Sequence, residues 1–176
     1  MRVLLGVTGS VASVLGEKLV DAFEVNHEVK VVQTDSSRRI LDLAGSKYQV
    51  ISEKDEWSWR RVGDPIQHIE LREWMDILVI APLSANTLGK MVHGICDNLL
   101  LSIWLAAGNK PVVVAPAMNT QMWMHPIVVM NTHVLRSLGV FIVDPVEKKL
   151  ACGETGVGAM APIEQVIEAV ERTCAL

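Results

Sequence analysis

The chain has 176 residues, of which half are hydrophobic, and its formal net charge is −4. That length suits one domain with its own core, so we predict a single domain over residues 1–176. The isolated arginine pairs do not resemble a nucleic-acid footprint, and no apolar run reaches the length of a membrane span, so we expect neither nucleic acid nor membrane as a partner.

The cysteines and the start of the chain predict a reduced, cytoplasmic protein. Cys96, Cys152 and Cys174 are an odd number without a Cys-x-x-Cys pair, which is not typical of a disulfide framework or a metal site. Arg2 already opens the first predicted strand, which leaves no room for a signal peptide. We expect no metal, a buried Cys96, and a Cys174 that lies in a frayed tail.

Predicted strands and helices alternate along the whole chain. Continuous apolar runs predict strands at residues 3–7, 28–32, 49–52, 77–81, 112–115 and 140–143. Helical spacing and capping residues predict helices at residues 11–23, 37–43, 127–138 and 162–173, with two more that end near residues 92 and 107. This rhythm predicts an α/β fold, a three-layer αβα Rossmann-like (flavodoxin-like) domain with a parallel sheet of about six strands.

Two of the turns that follow strands, at residues 8–10 and 82–87, are candidates for anion binding, and residues 34–36 would line a cofactor that lies across the strand ends. All three turns are rich in glycine, serine or threonine, and the one at residues 82–87 also contains asparagine. Backbone N–H groups at a helix start, together with hydroxyl and amide side chains, suit a phosphate without any arginine or lysine. Each turn could instead be an ordinary helix cap, and the first has no dinucleotide or P-loop fingerprint.

The middle of the chain contains a long charged loop and a histidine. Residues 53–64 include Trp57 and Trp59, and a loop of this length is either functional or packs its tryptophans over a sheet edge or a subunit interface. His68 follows in the segment Asp-Pro-x-x-His-Ile-x-Leu. A lone histidine is usually structural, so composition alone does not make His68 catalytic.

The loop after the fifth strand, residues 116–126, organises the remaining chain because ligands bind beyond the carboxyl ends of parallel strands. It holds three methionines, a tryptophan and one amide side chain, Asn119. These residues describe either an apolar pocket wall with one neutral hydrogen-bonding group or a loop that packs into the core.

The segment from Lys148 to Met160 carries three glycines and Cys152. Glycines at this density predict a mobile flap with an exposed thiol, although a simple glycine-rich connector would have the same composition. Lys148 and Lys149 either contact a substrate phosphate or are solvated lysines.

Five motifs, taken in order, resemble the flavin-dependent cysteine decarboxylases. They are Gly-Ser-Val-Ala at residue 9, the His68 segment, Ser-Ala-Asn-Thr at residue 84, Pro-Ala-Met-Asn-x-x-Met-Trp at residue 116 and Cys-Gly-x-x-Gly at residue 152. The resemblance covers residues 2–161. It implies FMN as cofactor, phosphopantothenoylcysteine as a small-molecule substrate decarboxylated in coenzyme A biosynthesis, and a homotrimer with active sites between subunits, which agrees with the apolar composition.

The resemblance also assigns roles to individual residues. His68 and Cys152 would be catalytic, and Asn119 and Met122 would bind substrate. Asp35 would offer its backbone rather than its carboxylate to the flavin. FMN would be held by Gly9, Ser10, Val11, Thr34, Ser36, Ser84, Ala85, Asn86, Thr87 and Ala117.

Elementary chemistry supports these roles. Loss of CO₂ from a cysteine carboxylate leaves an unstabilised carbanion, whereas prior oxidation of the thiol places a C=S group beside it, and FMN can accept the electrons. His68 is the natural base for the thiol proton, and Cys152 can protonate the carbon when the electrons return.

Three other functions would use part of this pattern. An oxidative peptidyl-cysteine decarboxylase would stop at the enethiol and would not need Cys152. A non-catalytic relative that regulates a protein phosphatase would often lack a catalytic residue and carry an acidic tail. A flavodoxin-like electron carrier would need neither His68 nor Cys152.

Overall fold

A parallel sheet forms the centre of the computed structural model, which describes residues 1–51 and 60–175. The described residues contribute six strands to it: β1 (Arg2–Val7), β2 (Glu28–Gln33), β3 (Val50–Ile51), β4 (Ile77–Leu83), β5 (Val112–Pro116) and β6 (Phe141–Ile142). Their order is β3-β2-β1-β4-β5-β6, with parallel pairing throughout. This is a doubly wound order. Successive strands are added towards one edge of the sheet as far as β3 and towards the other edge from β4 onwards, so a crevice opens between the carboxyl ends of β1 and β4.

Helices cover both faces of this sheet. They are α1 (Gly16–Glu24), α2 (Asp35–Arg38), α3 (Gln67–Trp74), α4 (Ala85–Val92), α5 (Leu99–Ala106), α6 (Thr120–Trp123), α7 (Pro126–Ser137) and α8 (Ile163–Cys174). Alternate residues of β1 point to opposite faces, so Val3 and Leu5 pack with α1 and α8, whereas Leu4 packs with α3, α4, α5 and α7. The predicted three-layer αβα fold is confirmed.

Two predicted helices differ in the structure. A 3₁₀ helix, Val11–Leu15, precedes α1, because the Ser13 hydroxyl donates to the carbonyls of Thr8 and Ser10 at 2.8 and 2.5 Å and tightens this turn. The prediction of a helix over residues 37–43 is wrong, since α2 is a single turn that starts earlier. The Gln33 amide donates to the Leu41 carbonyl and accepts from the Leu43 N–H, both at 2.8 Å, which holds that backbone out of a helix.

Several features were not predicted. The helices α3 and α6 have no counterpart in the predicted elements, and residues 146–159 form an antiparallel hairpin, β7 (Val146–Lys149) and β8 (Thr155–Ala159). The strand β4 continues through Pro82 to Leu83, beyond its predicted end.

The expected burial of Cys96 is wrong. Its side chain is exposed, and its thiol donates to the carbonyls of Gly94 and Leu101 at 3.7 and 3.6 Å. The predictions for Ser52, Trp57 and Trp59 lie outside the described residues. Among the residues that are described, no helix is long and apolar enough to cross a membrane.

Candidate active site

A cavity of about 590 Å³ opens at the carboxyl edge of the sheet, next to the reversal point between β1 and β4. Its volume falls in the range of small-molecule sites. Three turns and the hairpin line it. The sequence-predicted residues among its lining are Gly9, Ser10, Val11, Ser84, Ala85, Asn86, Ala117, Asn119, Met122 and Cys152.

Thr8 links the first and fourth strand ends under this cavity. Its buried hydroxyl donates to the Pro82 carbonyl at 2.8 Å and accepts from the Ser84 N–H at 2.8 Å. The Ser84 hydroxyl in turn accepts from the Thr87 N–H at 3.2 Å and caps α4. Thr8 therefore fixes where the amino end of α4 points, and this end is the predicted phosphate turn.

The turns after β1 and β2 approach each other closely. A Cβ atom on Gly9 would lie 2.5 Å from the Ser36 hydroxyl oxygen, so a side chain there is excluded. The Ser36 and Thr34 hydroxyls are 3.2 Å apart. Both line a second, polar pocket of about 290 Å³ with Asn86 and Thr87, and Asn86 also lines the larger cavity. The two spaces therefore adjoin, with hydroxyl and helix N–H donors on one side and an apolar wall on the other.

The polar pocket also contains charged side chains. Arg39 and Lys90 line it together with Asp35 and Asp97, and Lys90 forms an ion pair with Asp97. These two cations were not predicted from the sequence. Lys90 is already paired with Asp97, so among the described residues that line this pocket Arg39 is the cation that could add a charge-assisted contact to a phosphate.

Asn119 presents a hydrogen-bond donor to the larger cavity. It is the N-cap of α6, and its side-chain oxygen accepts from the Gln121 N–H at 2.8 Å. That contact fixes the amide orientation, so the Nδ2 group faces the hairpin and donates to the Cys152 Sγ at 3.5 Å and to Glu154 Oε2 at 3.3 Å. A neutral donor in this position suits a carboxylate that must later depart.

The tip of the hairpin carries both Cys152 and Glu154. The Gly153 N–H donates to the Leu150 carbonyl at 2.9 Å and the Leu150 N–H donates to the Glu154 carbonyl at 2.8 Å, which closes a tight loop. Gly153 has a φ of +91°, a conformation that favours glycine. Within this loop the Cys152 thiol lies 3.8 Å from Glu154 Oε2.

The base of the hairpin is attached to the Asn119 loop. The Met118 N–H donates to the Gly158 carbonyl at 2.9 Å. A Cβ on Gly158 would lie 2.3 Å from the Met118 carbonyl oxygen, and one on Gly156 would lie 2.5 Å from the Thr120 hydroxyl oxygen. Glycines in β8 thus permit an approach that brings Cys152 to Asn119.

The structure brings most of the predicted site residues together, but not His68. His68 is the second residue of α3 and is half-buried. In the described part of the chain it is not among the residues that line either cavity. Lys148 and Lys149 do line the larger one.

Sequence reasoning missed the contacts that Thr8 and Glu154 make at the site. Thr8 could have been identified as a polar residue at the end of a fully apolar strand. Glu154 lies two residues after Cys152 in a segment predicted to lack regular structure, so no signal distinguished it from a solvated acid.

Known proteins resemble this chain in sequence. The family model described as Flavoprotein matches residues 1–175. The chain is 51% identical over 164 residues to phosphopantothenoylcysteine decarboxylase HAL3 of Malus domestica, covering 91% of this chain and 77% of that protein.

Solved structures resemble it over nearly its full length. A cysteine-to-serine mutant of PPC decarboxylase complexed with pantothenoylaminoethenethiol matches with a TM-score of 0.93 and 46% identity, covering 97% of this chain and 96% of that one. The FMN binding protein AtHal3 matches with a TM-score of 0.89 and 46% identity, covering 97% and 95%.

Proposed function

The chain belongs to the Flavoprotein family, and we propose that it is an FMN-dependent carboxy-lyase that converts phosphopantothenoylcysteine to phosphopantetheine in coenzyme A biosynthesis. The observation that carries this proposal is the contact between the Asn119 amide and the Cys152 thiol, 3.5 Å apart, in a cavity beside the turn that we predict to bind phosphate. We further propose that residues 1–176 act as a single domain in the cytoplasm.

The two adjoining pockets fit the two ends of FMN. The phosphate would bind in the polar pocket, where hydroxyl groups of Thr34, Ser36 and Thr87 surround the amino end of α4. The flat ring system would lie along the apolar wall of the larger cavity, which includes Val11 and Ala117. Ser10, Ser84, Ala85 and Asn86 would hold the cofactor between these ends.

The cofactor and the chain would divide the chemistry. When bound, FMN supplies a two-electron acceptor for oxidation of the substrate thiol and returns the same electrons at the end of the cycle. The C=S group of the oxidised substrate stabilises the negative charge left when CO₂ departs. Because the electrons taken from the substrate thiol are given back to the decarboxylated product, the overall reaction needs no external oxidant.

Asn119, Met122 and Cys152 would act on the substrate. The Asn119 Nδ2 group would hold the substrate carboxylate as a neutral donor, which does not over-stabilise the charge that must be lost. Met122 would pack against the substrate chain. The Cys152 S–H would give its proton to the carbon that has lost CO₂, and solvent would reprotonate the exposed sulfur.

The His68 side chain of a neighbouring subunit would accept the proton of the substrate thiol. It does not line the cavity formed by the described residues of its own chain. Apolar side chains are exposed near the cavity mouth and on the adjoining helix, including Val14, Met124, Ile127 and Met130 at 51–66%. A homotrimer would cover such residues and complete the site. Light scattering measures the molar mass and so tests the homotrimer, since a monomer at working concentration would contradict a site between subunits.

Cys152 favours the full cycle over the oxidative alternative. A peptidyl-cysteine decarboxylase that stops at the enethiol needs no thiol to protonate the carbon that has lost CO₂. A non-catalytic phosphatase regulator and a flavodoxin-like electron carrier need neither the Asn119–Cys152 pair nor a base. Each remains a distinguishable outcome of the same assay.

The test is incubation of the FMN-loaded protein with phosphopantothenoylcysteine. We expect stoichiometric release of CO₂ and phosphopantetheine, together with a bound flavin spectrum before substrate is added. A colourless protein that does not take up FMN, or a flavoprotein that releases no CO₂, would contradict the proposal. Release of CO₂ with an ethenethiol as the final product would favour the oxidative alternative.

A further inference from the structure

One positively charged side chain of the polar pocket has no partner. Arg39 directly follows α2, is exposed, and lines the pocket of about 290 Å³ together with Thr34 and Ser36. Among the described residues, its guanidinium group forms neither an ion pair nor a hydrogen bond. The N–H donors of this group are therefore available to a ligand that enters the pocket.

The second cation of the pocket, Lys90, is already engaged. Its ammonium group forms an ion pair with Asp97, which also lines the pocket. If Lys90 left this pair to reach a ligand, the Asp97 carboxylate would remain unpaired beside that ligand. Arg39 is therefore better placed than Lys90 to contact an anion.

The carboxylate of Asp35 opposes the binding of an anion in this pocket. Asp35 lies four residues before Arg39, a spacing at which side chains on a helical turn are neighbours. Two cations and two carboxylates line the pocket, so its formal charge is zero. A phosphate monoester carries a charge of roughly −1.5 to −2 near neutral pH. Without Arg39 the pocket would have one carboxylate in excess, which would repel this group.

We propose that Arg39 makes the chain select FMN over the same flavin without its phosphate. This inference rests on the proposed function, in which the phosphate binds in the polar pocket. The guanidinium group donates to the phosphate oxygens, and its positive charge offsets the negative charge of Asp35. A guanidinium can form two parallel hydrogen bonds to a phosphate, which the ammonium group of a lysine cannot.

FMN and riboflavin separate this role from a merely structural one. The two flavins share the ring system and the ribityl chain, and FMN alone carries the phosphate. Each flavin is titrated into the apoprotein, and the quenching of its fluorescence gives the dissociation constant. The wild type and Arg39→Gln are compared in this way at low and at high salt.

We expect Arg39→Gln to bind FMN about tenfold more weakly than the wild type does. This is the lower end of the range for a charge-assisted hydrogen bond, because the side chain is exposed. Affinity for riboflavin should be unchanged, so the preference for FMN should also fall about tenfold. High salt should reduce the difference in FMN affinity between the two proteins, because salt screens exposed charges. Arg39→Lys, which keeps the charge, should lose less affinity than Arg39→Gln.

Lys18→Gln is the matched control. It removes one positive charge from an exposed position on α1 that lines neither pocket, so it should match the wild type with both flavins. Asp35→Asn should have the opposite effect to Arg39→Gln, with FMN bound about two- to threefold more tightly and riboflavin affinity unchanged.

Unchanged FMN affinity in Arg39→Gln, or an equal loss for both flavins, overturns the proposal. An equal loss of FMN affinity in Lys18→Gln also overturns it, because net charge rather than a contact would then be the cause. If Asp35→Asn binds FMN as the wild type does, Arg39 does not offset that carboxylate. If the wild type binds FMN but releases no CO₂ from phosphopantothenoylcysteine, the proposed function fails, while the comparison of flavins still decides the role of Arg39.

Discussion

Replacing Thr8 by valine should weaken both the fold and cofactor binding. Thr8 is fully buried, and valine has nearly its shape without the hydroxyl. The change removes the hydroxyl that accepts a hydrogen bond from the Ser84 N–H and donates one to the Pro82 carbonyl. The Pro82 carbonyl still accepts from the Thr8 backbone N–H at 3.3 Å. Ser84 is then free to shift at the start of α4.

The expected magnitude follows from these contacts. A buried N–H without an acceptor costs about 1–3 kcal/mol, and the partly compensated carbonyl adds about 0.5–1 kcal/mol. We therefore expect the free energy of unfolding to fall by about 1.5–4 kcal/mol. The affinity for FMN should fall about tenfold, because one misplaced charge-assisted hydrogen bond to the phosphate is worth at least about 1.4 kcal/mol.

Urea unfolding of the apoprotein and quenching of flavin fluorescence measure the two quantities. Thr8→Ser is the control, since it keeps the hydroxyl and loses one methyl group, at a cost of about 1 kcal/mol, with FMN affinity retained. If Thr8→Val unfolds at the wild-type urea midpoint and binds FMN with wild-type affinity, the bridge between β1 and β4 does not position α4.

The remaining predictions address the chemistry and one surface pair. His68→Asn should keep FMN bound, but substrate should no longer reduce the flavin in stopped-flow absorbance; unchanged turnover would exclude His68 as the base. Cys152→Ser should release CO₂ and accumulate an ethenethiol two hydrogens lighter than phosphopantetheine by mass spectrometry, and a saturated product at the wild-type rate would refute the assignment. The side chain of Arg2 hydrogen-bonds to Asp76, and its backbone N–H does so too, which lowers the pKa of that carboxyl below 3.8. Asp76→Asn should therefore cost up to about 1 kcal/mol at pH 7, because the pair is partly exposed, and this deficit should vanish as acid protonates Asp76 in the wild type; a deficit that persists unchanged at pH 2–3 would show that the ion pair is not its cause.

Hydrophobic pattern was sufficient for the sheet but not for the segments that shape the site. The run from Ile77 to Ala81 is buried on both faces, so its apolar character identified a central strand directly. The helix predicted over residues 37–43 failed because a single side chain, Gln33, makes hydrogen bonds to the backbone eight and ten residues further along the chain. Local propensity carries no information about such a contact.

The hairpin and the site show a similar limit. Gly153, Gly156 and Gly158 indicate a flexible connector by composition, yet two of them allow β8 to approach the Asn119 loop. Motif resemblance identified Asn119 and Cys152, and the structure places them in contact. It gave no indication of Glu154, because the contact of that carboxylate with Asn119 depends on how the hairpin folds back rather than on a position in a motif.

The hydrogen bond between Gly158 and Met118 fixes the base of the hairpin, so the length of the hairpin sets the position of its tip. Each strand residue advances about 3.4 Å, so the number of residues between Gly158 and the tip sets how far Cys152 stands from the floor of the cavity. Adding two residues to each strand would raise the thiol by about 7 Å, and adding a single residue to one strand would turn its side chains to the opposite face. If Cys152 is the proton donor, the length of this hairpin, more than its composition, sets the depth at which a substrate must present its reacting carbon.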